Sequence, residues 1–173
     1  MYIFEPILRK NWENTEKMDA KRIASQTEPE GLEKTRENLH AISQKYMGEF
    51  GQDFFPKKLI EKIQKLDSET VLVSGIRPPS DVENFKAAFG DDFFLVAIVV
   101  DSDRVRYERT RARGSARDNV TFEQFLELDK HEEEIFHTSI TMGMADYTFH
   151  RGEYSDEEYH EKIRAFYKER FLK

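Results

Sequence analysis

The 173-residue sequence has no cysteine, a single tryptophan and only eight glycines, none of them followed by lysine. Without a thiol there is no disulfide, no cysteine nucleophile and no cysteine metal site, a composition compatible with the cytosol. Without a Gly-Lys pair there is no GxxxxGK[ST] loop to cradle phosphates. Long apolar runs are missing too. The stretch Phe93 to Val100 (FFLVAIVV) is far below the ~18 residues of a membrane span. The N-terminus shows no basic flank, apolar core and small-residue cleavage site in succession, so the expectation is a soluble, cytoplasmic protein with no membrane partner. Positive charge is in deficit, 27 Lys and Arg against 34 Asp and Glu for a net charge of −7. That balance disfavours general nucleic-acid affinity and requires any anion site to be local. His131 and His137 flank HEEEIFH at a spacing unlike the i, i+4 pair of a zinc helix, and no Ser/His/Asp arrangement is legible.

What is present is an alternation of strand and helix signals over a length suited to one domain, residues 1–173. Tyr2 to Phe4 reads as a brief strand. The polar segment 11–34 reads as a mobile insertion with partial helix. Leu39, Ile42, Tyr46 and Met47 recur at helical spacing from Thr35 onward. Asp53 to Leu66 is a clearer helix, with Pro56 in a first turn and Leu59, Ile60, Ile63 and Leu66 on one stripe. Thr70 to Ser74 (TVLVS) is a strand, and Ser80 to Glu83 has capping-box spacing ahead of a helix that Gly90 ends. Phe93 to Val100 has the length and β-branched content of a strand buried on both faces, hence a central parallel strand. An arginine-rich helix from Asp103 to Arg113 follows. Thr121 to Gln124 repeats the capping-box spacing before a helix reaching about Glu134; 135–145 is ambiguous. Tyr147 to His150 is a last strand, and Ser155 to Glu158 caps a helix with Tyr159, Ile163, Phe166 and Tyr167 inward. The fold class is α/β, layered, with a mostly parallel sheet.

In open parallel sheets ligands sit beyond the carboxyl ends of the strands. Arg77 lies there, in SGIRPP, on a loop stiffened by two prolines, where a guanidinium can hold a phosphate or carboxylate bidentately. The competing reading is a surface ion pair, and position alone does not choose between them. Arg104, Arg106, Arg109, Arg111, Arg113 and Arg117 follow the Phe93 strand. Helical geometry sets Arg106, Arg109 and Arg113 on one face and Arg104 and Arg111 on another, so two or three can serve a ligand while the rest pair with Asp101, Asp103, Glu108 and Asp118. Asp101 is expected to cap the next helix.

The segments RENLH (36–40), FGQD (50–53), VLVSGIRPPSDVENFK (71–86), VRYERTRARG (105–114), TFEQFLELDKHE (121–132) and ADYTF (145–149) together resemble P-loop nucleotide kinases of the dephospho-CoA kinase-like and deoxynucleotide monophosphate kinase-like groups, often labelled AAA family ATPases. The likeness runs from Ile7 onward. It implies a three-layer α/β/α P-loop kinase-like fold from which the first strand, the phosphate-binding loop and the first helix are missing. It also implies ATP and Mg2+ as cofactors and a small anionic, nucleotide-like ligand. Arg9 then matches an acceptor-site arginine, Arg77 the arginine of the Gly-Ile-Arg loop, and Arg109 and Arg113 a lid within 103–134. Ser74 replaces an acidic residue common in relatives. In that family the first strand lies between those matching Val71–Ser74 and Phe93–Val100, so its loss leaves backbone groups unpaired unless those two strands pair directly, Tyr2–Phe4 or a second chain in a homo-oligomer or hetero-complex fills the place, or a longer natural form of the protein supplies the missing segment. The expected outcome is nucleotide binding without ATP turnover. The alternative is a non-enzymatic interaction module; arginine-mediated RNA binding is disfavoured by the acidic balance.

Overall fold

The computed structural model describes residues 15–19, 36–67, 70–100, 102–114, 120–152 and 154–171. In chain order they form β1 (Thr15–Asp19), α1 (Arg36–Phe50), α2 (Phe54–Ile63), β2 (Thr70–Ser74), α3 (Pro79–Phe89), a 3-10 turn (Gly90–Asp92), β3 (Val96–Val99), α4 (Asp103–Ala112), α5 (Phe122–Phe136), α6 (Thr138–Gly143), β4 (Tyr147–His150) and α7 (Asp156–Phe171). The fold is α/β, dominated by helix, with short parallel strands. The expected strand at 2–4, Arg9 and Asp101 lie outside the described residues.

Two strand expectations need correction. The polar segment expected to be a mobile insertion carries β1, which runs parallel to β2 with Thr15 opposite Thr70 and Asp19 opposite Ser74. No apolar alternation announces this strand, because a ladder joins backbone to backbone and an edge will accept a polar sequence. The Phe93 strand is not central among the described residues. It pairs on one side only, parallel to β4, from Val96 opposite Tyr147 to Val99 opposite His150. β2 and β3 do not pair, and the described strands make two separate two-stranded sheets. Ala97 and Ile98 are buried, whereas Val71, Leu72 and Val73 of β2 are only half-buried.

β3 is also shorter than its apolar run because the flanking residues are used in packing. Phe93 stacks on Phe85 with centroids 5.5 Å apart, Phe94 meets Phe171 edge-on at 5.4 Å, and the Leu95 N–H donates to Asp146 Oδ2 at 2.7 Å. Each strand pair has its own core. Leu59 of α2 and Phe85 of α3 are buried against Val71, Val73 and Ile76, while Ile98, Phe149 and Tyr159 form a second cluster closed by Ile163 and Phe166 of α7. Burying each such side chain contributes ~2 to 3 kcal/mol. α7 links the halves through a Tyr167 hydroxyl donating to Thr70 Oγ1 at 3.2 Å.

The helix starts follow local chemistry. The capping box at α5 forms as expected, with Thr121 Oγ1 accepting from the Gln124 N–H at 3.2 Å and Gln124 Oε1 accepting from the Thr121 N–H at 2.9 Å. Ser155 and Glu158 exchange the same pair of bonds at α7. The box expected at Ser80–Glu83 does not form, because Pro78 and Pro79 start α3 two residues earlier and carry Ser80 and Asp81 into its first turn. Ser102 caps α4, its Oγ accepting from the Val105 N–H at 3.4 Å. Of the ambiguous 135–145 segment, Ile135 and Phe136 end α5 and Thr138–Gly143 form α6, the two helices separated by His137, a non-glycine residue at φ 49°.

Candidate anion-binding site

The site grows from the carboxyl end of β2. Gly75 takes φ 89°, a conformation disfavoured for side-chain-bearing residues, and turns the chain off the strand so that Ile76, Arg77 and Pro78 lead into α3. Four neighbours hold Arg77. Its N–H donates to Asp81 Oδ2 at 3.3 Å, and its carbonyl accepts from Thr141 Oγ1 of α6 at 2.5 Å. Its guanidinium places Nη1 3.4 Å from Glu132 Oε1 of α5 and its plane 5.2 Å from the centre of the Phe136 ring. Thr141 is buried, 4% exposed, so its hydroxyl fixes the loop from inside the fold. The Arg77 and Glu132 side chains are 23% and 24% exposed, open enough for solvent to reach the pair. One single-point contact leaves further guanidinium donors for an incoming anion.

Asp81 completes the electrostatics. Burial pushes its carboxyl from 3.8 up to about 6, against the opposing effects of the Arg77 N–H and of the Arg77 charge. Arg77 thus has two carboxyls about it, Glu132 at its guanidinium and Asp81 at its main-chain N–H, the latter reluctant to ionise.

The α4 arginines divide by what they touch. Arg106 is structural: it bonds Asp103 at 2.7 Å through Nη2 and pairs with Asp129 of α5 through Nη1, its guanidinium 5.2 Å from the Phe125 ring centre. Burial opposes its charge, but the two carboxylates outweigh it and raise its pKa. Arg109 points Nη2 at the Gly152 carbonyl, 3.5 Å away, in the turn after β4. Arg113 is the exposed C-cap of α4. Arg104 lies 3.8 Å from the Phe122 ring centre and, with Arg111, flanks Tyr107 at 6.0 and 5.8 Å, along an open depression that Glu108 and Ala112 also line. Of the four arginines singled out from the sequence, Arg77 is built into a supporting shell, Arg109 is tied to the β4–α7 turn, Arg113 ends its helix, and Arg9 is not described. Among the described residues no group of three His, Asp or Glu is arranged to hold a cation.

Sequence reading missed Arg151, which is 5% exposed, pairs with Asp156, donates to the Tyr154 carbonyl and lies 4.3 Å from the Tyr159 ring centre. Its signal was an arginine directly after the last strand. Thr141 and Glu132 were missed as well, since only the packing of α5 and α6 brings them to Arg77, 64 and 55 residues away in sequence.

No family model matches the chain. It is similar to curated archaeal proteins. A UPF0200/UPF0201 protein of Archaeoglobus fulgidus is 41% identical over 137 residues, 78% of this chain and 41% of that protein. A UPF0200 protein of Thermococcus kodakarensis is 34% identical over 127 residues, 72% of this chain and 68% of that protein. A UPF0200 protein of Thermococcus gammatolerans is 32% identical over 145 residues, covering 83% and 75% respectively.

Proposed function

The chain belongs to the UPF0200 family, and on that premise we propose that it is a P-loop kinase-like nucleotide-binding domain that grips the phosphate of a small nucleotide-like acceptor through Arg77. The observation that carries this reading is the placement of Arg77 beyond the carboxyl end of a parallel strand, on a Gly-Pro-Pro loop fixed at both its N–H and its carbonyl. A guanidinium held this way loses little freedom on binding an anion. α4, rich in arginine and following β3, is the lid of this proposal, with Arg109 and Arg113 as its contributions.

ATP and Mg2+ do not fit the residues present. The sequence has no phosphate-cradling loop with its lysine and hydroxyl ligand, and the described residues offer no cation-binding cluster. No phosphoryl-transfer step is therefore assigned to this chain; the proposed activity is acceptor binding without ATP turnover. Joined to a phosphate-binding loop, the same half-site would serve transfer to the acceptor. Calorimetric titration with AMP, dephospho-CoA and ATP tests the reading. Binding of a monophosphate that is lost in Arg77→Ala is expected; no binding, or binding indifferent to Arg77, overturns it.

A second reading rests on the sheets. β2 and β3 each pair on one side only among the described residues, and an unpaired parallel edge is a template for another strand. In this reading the domain is an interaction module completed by a second copy or a different subunit. Light scattering on a size-exclusion column separates the two: a stable complex favours the second, a monomer whose melting temperature rises with nucleotide the first.

A further inference from the structure

The charges around Arg77 do not balance. The Arg77 guanidinium contacts Glu132 on α5, Asp81 in the first turn of α3 accepts the Arg77 N–H close by, and Phe136 adds the electron-rich face of a ring. Their attachments differ. Asp81 accepts a main-chain N–H and is fixed by the first turn of α3. Glu132 reaches Arg77 from another element, by one contact of 3.4 Å between side chains that both meet solvent. A single partly exposed contact of this length is weak enough to be exchanged. Thr141 and Asp81 hold the Arg77 backbone independently of Glu132, so the loop keeps its shape when that contact opens.

We propose that Glu132 is the resident counter-ion of Arg77 and sets the site's anion affinity and selectivity: an entering phosphate takes the guanidinium from Glu132 rather than joining it. The inference rests on the reading of Arg77 as an anion-binding residue. With Glu132 in place, a dianion meets a carboxylate already seated on the guanidinium. Once Glu132 swings away, Phe136 still supports the guanidinium plane, and the phosphate gains charge-assisted bonds without a negative group at its side. The exchange also frees a side chain of α5 from the 75–78 loop, so occupancy of the site is reported to the helix that Arg106 ties to α4.

The test is titration of the whole chain with AMP and with inorganic phosphate, comparing wild type with Glu132→Gln, Arg77→Ala, the Arg77→Ala/Glu132→Gln double variant and Glu127→Gln. Glu127 is exposed on the same helix and supplies the same change in formal charge. The expected result is AMP binding on the order of three- to tenfold tighter in Glu132→Gln, the scale of one partly exposed ion pair. Glu127→Gln should be unchanged and both Arg77 variants should lose binding. Binding by Glu132→Gln where wild type is too weak to measure supports the proposal equally if it depends on Arg77. Equal or weaker binding in Glu132→Gln, or an equal gain in Glu127→Gln, overturns the proposal while Arg77-dependent binding by wild type leaves the reading of the site intact. Binding by none of the proteins, or binding indifferent to Arg77, removes the reading and the proposal together. Matching melting curves for Glu132→Gln and wild type confirm that each titration reports on a folded protein.

Discussion

Asp81→Asn isolates the cost of keeping a carboxylate under the Arg77 loop. In the folded protein this carboxyl is pushed from 3.8 to about 6 by burial, with the Arg77 N–H and the Arg77 charge acting against the rise. A rise of this kind means the folded state holds its proton more tightly than the unfolded chain, so stability falls as pH climbs from about 4 to about 6 and stays lower above that. At ~1.4 kcal/mol per tenfold change in proton affinity, the full interval corresponds to roughly 3 kcal/mol. The side chain is only half-buried and sits in the first turn of α3, where the helix dipole favours an anion, so about 1 to 2 kcal/mol is the expected effect. Asparagine keeps an oxygen to accept the Arg77 N–H and removes the charge. Urea unfolding of wild type and variant from pH 3.5 to 8 provides the assay, read as the difference between the two stabilities so that other carboxylates cancel. The variant should match wild type near pH 3.5, gain through pH 4 to 6 and stay ahead at pH 7.5. Parallel curves, or a variant less stable than wild type at pH 7.5, would refute the assignment of a desolvated carboxylate.

Leu59→Ala should cost about 2 to 4 kcal/mol by urea unfolding, because Leu59 is 2% exposed in the first cluster and its truncation leaves a cavity there. Thr121→Ala removes half of the capping box and should lose about 1 kcal/mol, with Thr121→Asn recovering most of it in the same assay. Arg106→Ala leaves Asp103 and Asp129 without their guanidinium and should destabilise the protein by about 1 to 3 kcal/mol, while calorimetry finds AMP affinity changed less than in Arg77→Ala.

Much of the helical half of this fold was legible because its signals are local. The Leu59–Ile60–Ile63–Leu66 stripe, Pro56 in a first turn, the Thr121–Gln124 box and Ser155 before Glu158 depend on neighbours three or four residues apart. Strand positions depend on partners far away, and there the reading faltered. Tyr147–His150 was recovered at its full length because aromatic and β-branched residues mark it. β1 was missed because TEKMD advertises nothing and only the β2 backbone recruits it. β3 was overextended because an apolar run does not distinguish ladder residues from Phe93 and Phe94, which pack rings instead. Arg77 was legible from its loop, but Glu132, Phe136 and Thr141 were not, since nothing in the sequence measures the approach of α5 and α6 to that loop.

The arginines show why residue type and position alone fall short of a site. Arg106, Arg109 and Arg151 lie after strands as Arg77 does; Arg77, Arg106 and Arg109 were candidates for an anion from the sequence, and Arg151 was overlooked. Their acceptors separate them. Arg151 is 5% exposed and shared among Asp156, the Tyr154 carbonyl and the Tyr159 ring; Arg106 is divided between Asp103 and Asp129. An anion reaching either would have to break several bonds inside the fold, a larger cost than one new contact returns. Arg109 has one long bond to a carbonyl, weak but uncharged. Arg77 combines a backbone fixed at both ends with a guanidinium held by one replaceable carboxylate, and that combination of a rigid base and an exchangeable partner suits it to recognition. The same criterion predicts the order in which alanine substitutions should divide stability from binding: Arg151 and Arg106 chiefly unfold the protein, and Arg77 chiefly empties the site.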